Sequence, residues 1–530
     1  MKVEMVNMKG EVPAIKPHLL PPEWASYAEN CHVEEGVLTP IHNSKHIGML
    51  TEPPVSFYLY QGQHWFVWRT HVDAIASPMA QDAWQRVYYT GDGPPRVTAH
   101  DVALGAKQPN VSYVLGVPKP HHAPRVSSSF GFTDQTTKES DNDEHYVYVY
   151  TYVTRFGEEG PPSDPSSPQR HPASNSMLVV RPGNLPNNPH NITHVRVYRS
   201  DTSNEIAHYR LIQQIPLGGT YYDHFKDCLT EVLSTWEVAE PDPNMVGLCA
   251  MANGICVGFY QNELMFSEAY LPYSWPKRYR VTIESDIVGL APMGTSLVVL
   301  TTGHPYWFSG ITPAAMTGSK MMLEQACVSR ASIAIVNGQI IYASADGLVG
   351  VSRDSARLLT QALITRKQWQ EYTPSSIKAW SYNGLYLVQY KNGGFIFDPT
   401  TQDFRRISGR WQCGFKDLVH DTLYVANGRY LYQWDQGSFP LEIRWHSKVF
   451  RLPHGTALSC CKVVTPQPAL MGLRVSVDGR TVIICDVGQL PPSGLVRLPA
   501  QRGRDWQIEV WGKTTIEHIV MATSLSEIEA

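Results

Sequence analysis

Two pairs of adjacent carboxylates, Glu34-Glu35 and Glu158-Glu159, are the residues of this chain best suited by type to acid and base chemistry. Two acids flanking a glycosidic bond can protonate a leaving group and activate a water. Both pairs stand beside glycine in evident turns, where neighbouring carboxylates are ordinarily just solvated. No catalytic role is therefore assigned to them. His121-His122 and His304-Pro305 offer imidazoles of the kind that ligate metals, but they read as exposed loop histidines.

Other patterns fall short for stated chemical reasons. Ser476-VDGRT bears a partial likeness to the Ser-x-Asp-x-Gly-x-x-Trp turn of sialidase-type enzymes, without a repeat or an arginine triad, and reads as a hairpin turn. The acidic run Asp141-Asn142-Asp143-Glu144 lacks the glycine and the distal glutamate of a calcium loop. No G-x-S-x-G elbow, H-E-x-x-H pair or Walker A loop occurs. The nine cysteines, Cys31, Cys228, Cys249, Cys256, Cys327, Cys413, Cys460, Cys461 and Cys485, are odd in number and hold no C-x-x-C pair. They read as reduced thiols rather than a disulfide or zinc framework. The sequence thus offers no catalytic, cofactor-binding or metal residue, and no cofactor.

The elements that would position any site are strands. Asn253-Gly254-ICVGFY-QNELMFSE, Met293-Gly294-TSLVVLTTGHPYWFSG, Asn337-Gly338-QIIYASADGLVGVS and Asn383-Gly384-LYLVQYKNGGFIFD repeat one plan, a glycine turn, a β-rich run, a second turn and another β-rich run. Their first glycines are 40, 44 and 46 residues apart. A shorter copy, Asp421-TLYVA-Asn427-Gly428-RYLYQWD, follows with its Asn-Gly at the second turn. Asn-Gly tolerates positive φ and reverses a strand with the twist its neighbours need. A four-stranded unit cannot bury both faces alone, so copies with this period imply the stacked blades of a β-propeller.

Bulk properties agree. With 39 prolines, 39 glycines, 27 tyrosines and 14 tryptophans, and only 17% charged residues, the 530-residue chain reads as many short strands joined by tight turns. The formal charge of −4, from 44 basic and 48 acidic residues, argues against a tight electrostatic clamp on nucleic acid. Lys277-Arg278-Tyr279-Arg280 and Arg502-Gly503-Arg504 are local basic clusters that read as solvated loop ends. The charged, proline-bearing N-terminus lacks the apolar run of a secretion signal, and no stretch reaches the ~18 apolar residues of a membrane span.

Residues 1–44 read as an N-terminal arm, with a short helix expected over Glu23-WASYAENC. The first part of the propeller spans 45–140, with hairpins at Phe57-YLY-Gln61-Gly62-QHWFVW and Arg86-VYYT-Gly91-Asp92-Gly93-PPRVT. A polar linker follows at about Ser127 to Asp143. His145-YVYVYTYVT then alternates strictly and opens a fibronectin III-like β-sandwich inserted over 141–245. The second part of the propeller covers 246–440, with an amphipathic helix expected around Ser355-ARLLTQALITRKQWQ, and 441–530 form a β-rich C-terminal cap. The expected fold class is all-β, a β-propeller with an inserted fibronectin III-like β-sandwich and a β-rich C-terminal cap.

Several stretches, in this order, resemble the nozzle proteins of short-tailed bacteriophages, also called tail tubular protein B. They are Gly10-EVPAIKPHLLPPEWASYAENCHVEEGVLTPI, Val87-YYTGDGPPRV with Tyr113-VLGVPKP, Tyr148-VYTYVTRFGEEGPPSDPS, Ile192-THVRVYRS, Leu264-MFSEAYLPYSWP, Arg497-LPAQRGRDWQIEVWG and Ala522-TSLSEIE. The resemblance spans nearly the whole chain, and the order of the segments is more specific than any one of them.

What the resemblance implies is a structural virion protein and not an enzyme: a homo-hexameric ring in the distal tail, assembled in the host cytoplasm. It would dock to a tail adaptor protein and to tail fibre or spike proteins, with genomic DNA passing through its lumen without tight binding and with no membrane anchor. The neutral-to-acidic composition suits a conduit that must release phosphates. The rival from another class is a receptor- or glycan-binding or glycan-degrading propeller of a tail tip. An intracellular propeller scaffold is disfavoured because no Trp-Asp or kelch signature recurs.

Overall fold

The positive-φ tolerance of Asn-Gly is where the fold begins. In the computed structural model, which describes residues 1–106, 109–128, 145–170, 177–185, 187–201, 208–225, 230–353 and 355–529, Asn337 (φ 48°) and Gly338 (φ 72°) link Ala334–Val336 to Gln339–Ala343. Asn383 (φ 48°) and Gly384 (φ 73°) do the same between Lys378–Tyr382 and Leu385–Tyr390. Both are two-residue loops with positive φ at each centre, the arrangement whose twist matches flanking strands.

These turns fold the chain into four-stranded antiparallel meanders. One runs from Asp73–Ala76 to Tyr113–Val114, one from Val246–Ala250 to Arg280–Thr282, one from Ala334–Val336 to Ser355–Leu358, and one from Lys378–Tyr382 to Asp403–Ile407. A further meander of Cys413–Asp417, Thr422–Asn427 and Tyr430–Gln433 takes its fourth strand, Lys45–Met49, from near the N-terminus. The chain is all-β: propeller blades, an inserted fibronectin III-like β-sandwich and a β-rich C-terminal cap.

The described residues divide into two compact units, 1–70 with 298–307 and 319–530, and 71–297 with 308–318. In the first unit the opening strands of successive blades lie side by side: Ala334–Val336 on Lys378–Tyr382, that strand on Cys413–Asp417, and this in turn on Ser56–Tyr60. Val336, Ile341 and Leu348 of one blade and Tyr386, Val388 and Phe395 of the next share one core. In the second unit Val246–Ala250 lies against both Asp73–Ala76 and Ile287–Met293.

The sandwich belongs to the second unit. One sheet joins Arg125–Ser128, Leu178–Arg181 and Tyr221–Asp223, and the other joins Tyr148–Thr154, Ile192–Asp201 and His208–Pro216. Tyr148, Tyr150 and Tyr152 fill its core with Leu178, Val180 and Val195, while Val149 packs on the opposite face with Tyr198 and Leu233. The alternation therefore separates two buried faces. Ser127 and Ser128, expected in a linker, lie in a paired strand; the rest of that polar stretch, 129–143, falls outside the described residues.

Two expected helices are strands or shorter. Glu23 to Cys31 holds no helix; Ala25–Glu29 is a strand between Ile443–Ser447 (antiparallel) and Asp403–Ile407 (parallel at Glu29). Its neighbours' unpaired backbone groups outweigh local helical preference, and the fully buried Ala25 and Ala28 let the strand fit closely. In the segment from Ser355, Ser355–Leu358 is the outer strand of a blade and the helix is confined to Arg366–Glu371. Thr365 and Gln368 start it with a reciprocal capping box.

The cap is built around Trp445 and Trp506, both fully buried, with Ile443–Ser447, Gly503–Gly512, Met471–Val477 and Arg480–Cys485 in one sheet. A second sheet of His518–Ala522, Cys460–Val464 and Leu495–Arg497 takes in Lys2–Met5, whose Lys2 pairs with Ala522.

Gly338 and Gly254 separate backbone strain from crowding. A Cβ on Gly338 would meet nothing within 4 Å, whereas on Gly254 (φ 76°) it would lie 2.5 Å from the Tyr270 ring. Gly338→Ala is expected to lose about 1–2 kcal/mol through its backbone alone, and Gly254→Ala more. Denaturant unfolding of the two variants checks the order, and equal losses would contradict it.

Candidate functional site

The carboxylate pair at 158–159 is buried, which corrects the expectation of a solvated turn. Glu158 and Glu159 retain 5% and 8% exposure, because arginines distant in sequence reach them. Arg86, itself buried, donates from Nη1 to Glu158 Oε1 at 2.8 Å and from Nε to Asp82 Oδ2 at 2.8 Å. Arg196 Nη1 donates to Glu159 Oε2 at 2.7 Å, while the Tyr198 and Thr151 hydroxyls donate to Oε1 at 2.5 and 2.6 Å. Burial pushes the Glu158 carboxyl up to about 7, against the opposing pull of Arg86 and the Thr154 hydroxyl. Glu158 thereby joins the sandwich to the preceding blade within the second unit, while Glu159 ties together strands of the sandwich itself. Each is engaged by its own cation, so the pair lacks the shared opening across which two acids attack a glycosidic bond.

The first unit repeats the device. Glu11, 1% exposed, receives Arg406 Nε at 2.9 Å and Nη2 at 3.1 Å, and the Ala28 N–H at 2.9 Å. Burial raises the Glu11 carboxyl and Arg406 opposes it. Asp403 accepts the Gly10 N–H at 2.7 Å and pairs with Arg405 at 3.0 Å. These contacts lock the N-terminal segment onto the Asp403–Ile407 strand.

At 34–35 the two acids differ. Glu35 adopts φ 59° in a short 3-10 turn, and Glu34 lies 3.6 Å from His32 Nδ1. His32 Nε2 meets Asp435 Oδ2 at 2.9 Å. Burial opposes a charge on His32, but its hydrogen bonds to Asp435 and Glu34 prevail and raise it to about 9. The hydrogen bond from His32 holds Glu34 down at about 2.

His121 and His122 are exposed, as read from the sequence. His304 is half-buried, which corrects its reading as an exposed loop residue: the Thr301 hydroxyl donates to its carbonyl at 2.7 Å and its Nδ1 is buried without a partner. Asp478-Gly479 is the hairpin turn expected at Ser476, with φ 48° and 76°. Arg278 pairs with Glu237, and Arg280 with Glu263 at 3.0 Å, so that basic cluster is largely neutralised locally; Arg502 and Arg504 are exposed.

Eight cysteines are free thiols and Cys228 lies outside the described residues. Burial pushes Cys31, Cys256, Cys327 and Cys413 up to about 12, which leaves them protonated and unreactive at neutral pH. The acidic run 141–144 is likewise outside the described residues. Among the described residues no group of three or more His, Cys, Asp or Glu is placed to hold a metal ion, and no helix is long and apolar enough to cross a membrane.

A feature not singled out in the sequence is a cleft of about 270 Å3 in the first unit, where the connector after Asp403–Ile407 meets the Thr422–Asn427 and Tyr430–Gln433 hairpin and the segment from Ile41 to Ser44. Trp434, 2% exposed, forms its floor and meets Trp411 edge-on with ring centroids 6.3 Å apart. Tyr432 and Trp411 are half-buried walls, and Arg410, Asn427 and His42 are exposed around them. No local motif marks the site, because its rings come from two blades and its histidine from the N-terminal segment.

No family model matches the chain, and no curated protein matches it. Among solved structures, the exo-beta-1,3-galactanase of Phanerochaete chrysosporium is 8% identical with a TM-score of 0.21, covering 71% of this chain and 100% of that one. The Neurospora crassa Pan2 WD40 domain is 8% identical at 0.27, over 50% and 87% of the two chains. PorZ of Porphyromonas gingivalis is 11% identical at 0.27, over 89% and 77%. Likenesses at these scores carry no inference about activity.

Two pH dependences follow from the ion pairs. Glu158 is raised in the folded protein, so its contribution to stability is present below the ordinary carboxylate range and lost as pH rises through about 7. Unfolding free energy measured from pH 5 to pH 8 should fall more steeply in the wild type than in Glu158→Gln; parallel curves would refute this. His32 is also raised, so its stabilising charge is present below ~6.5 and lost as pH rises through about 9. The stability gap between wild type and His32→Gln should narrow between pH 6 and pH 9.5, and a constant gap would exclude the pairing.

Proposed function

We propose that this protein is a structural component of a short-tailed phage virion, the nozzle ring of the distal tail, and has no catalytic centre. The observation that carries the reading is the ordered run of nozzle-like segments from Gly10 to Glu529. Two physical features support it. The buried carboxylates that sequence chemistry would nominate, Glu158 and Glu159, are engaged by Arg86 and Arg196 in contacts that hold segments of the fold together. A formal charge of −4 with locally paired basic residues suits a channel wall that lets phosphates pass.

In this role the protomers form a hexamer by heterologous contacts between two different faces. The ring docks to the tail adaptor and carries fibre or spike proteins, and it is assembled in the host cytoplasm. DNA crosses the lumen without tight binding, since stable phosphate contacts would hold the genome that must leave.

Electron microscopy of the parent particle should show a six-fold ring of this chain around an axial channel wider than duplex DNA, about 20 Å. The purified chain should bind DNA only at low salt and show no hydrolysis of host polysaccharide. A monomer at a fibre tip, or turnover of a glycan, would replace this reading with the tail-tip adhesin or enzyme.

A further inference from the structure

The cleft walled by Trp411 and Tyr432 does not figure in the conduit reading, and its chemistry is specific. Three aromatic side chains face one space: Trp434 at the floor, held edge-on against Tyr382 at 5.0 Å, with Trp411 and Tyr432 on the walls. Rings fixed in this way offer rigid apolar faces with polar edges, which suits ligands that are apolar on one side and hydroxylated at the rim. Among the described residues the Trp411 indole N–H, the Tyr432 hydroxyl and the Asn427 side-chain amide make no hydrogen bond. They are donors and acceptors left available at the mouth of an aromatic pocket.

The charge is one-sided. Among the described lining residues Arg410 carries the positive charge of the cleft, and none is Asp or Glu. Arg410 uses Nη2 on the Asn392 carbonyl at 3.0 Å, which fixes its guanidinium and leaves other N–H groups free. Asp435, next in sequence to Trp434, has its oxygens engaged by His32 Nε2 at 2.9 Å and the His42 N–H at 2.6 Å. Phe439, 73% exposed, donates its N–H to Asn43 Oδ1 at 3.0 Å, and Asn43 is one of the residues that line the cleft.

We propose that this cleft is a non-catalytic saccharide-binding site selective for sugars that carry a carboxylate, a uronic acid unit above all. The C–H face of the pyranose lies on Trp411, its hydroxyls meet Asn427 and Tyr432, and its carboxylate meets Arg410, the side chain best matched to a planar anion. The site binds without cutting, because glycoside hydrolysis needs a pair of acids and the lining offers none. A cleft of about 270 Å3 takes a terminal sugar and part of the next.

The test is direct binding to the full-length chain, followed by tryptophan fluorescence and by saturation-transfer NMR, and it does not depend on the conduit reading. The probes are cellobiouronic acid and digalacturonate, each against its neutral counterpart, cellobiose and galactobiose. At least one acidic probe should bind saturably and at least about tenfold tighter than its neutral partner. Arg410→Gln should erase that preference, and Trp411→Ala should weaken binding of every probe, with the melting temperature of both variants near that of the wild type. Failure of all four probes to bind, equal affinity for acidic and neutral members, or binding that survives both substitutions would each overturn the proposal. Should either variant unfold, chemical-shift changes at Asn427 and Tyr432 in the wild-type chain decide in its place: a shift on adding the acidic probe supports the site, and none refutes it.

Discussion

A four-stranded meander has two broad faces and cannot cover either with its own side chains, and that constraint organises the molecule. Leu385–Tyr390 is buried along nearly its whole length only because a neighbouring blade lies on each side. Where the chain supplies no local neighbour it recruits one from far away. Lys45–Met49 completes the Cys413–Gln433 meander, and Lys2–Met5 extends the sheet of the cap. The same demand explains why Ala25–Glu29 is drawn out as a strand although its residues favour a helix.

Burial of surface alone would permit many pairings of such similar sheets. The buried ion pairs narrow the choice, since removing either partner of a pair buried on both sides, such as Asp223 with Arg199, would leave an uncompensated charge, at a cost of about 3–5 kcal/mol. An ion pair of this kind adds little net stability over an apolar contact, yet it penalises every arrangement in which the partner is absent. Arg86 plays this part where the sandwich joins its blade, and Asp223, fully buried between the Tyr148 hydroxyl and Arg199, plays it inside the sandwich.

What could be read from the sequence was what depends on near neighbours. Asn337-Gly338 and Asn383-Gly384 announce their turns because the required φ values belong to those two residues. The tyrosines at 148, 150 and 152 announce a strand because alternation is itself a local pattern. The upstream edge of the sandwich was not legible, since Arg125–Ser128 is defined by Leu178–Arg181 on the other side of a long stretch. The burial of Glu158 and Glu159 was hidden for the same reason: nothing beside them in the sequence points to Arg86 or Arg196. The aromatic cleft was the least visible feature, because Trp411, Trp434 and His42 come together only once two blades and the N-terminal segment are in place.

The tie between the two ends of the first unit also bears on how the protein is made. Glu11 and Arg406 are 395 positions apart, and Lys45–Met49 waits for Tyr430–Gln433. At ribosomal rates of about 5–20 residues per second, the N-terminal strand is outside the exit tunnel for roughly 20 to 80 s before its partner is synthesised. Throughout that interval its backbone N–H and C=O groups form an open edge, which could template intermolecular pairing. Its composition tempers the hazard: Lys45–Met49, KHIGM, contains a lysine, a histidine and a glycine, residues that discourage a flat apolar edge from recruiting another nascent chain.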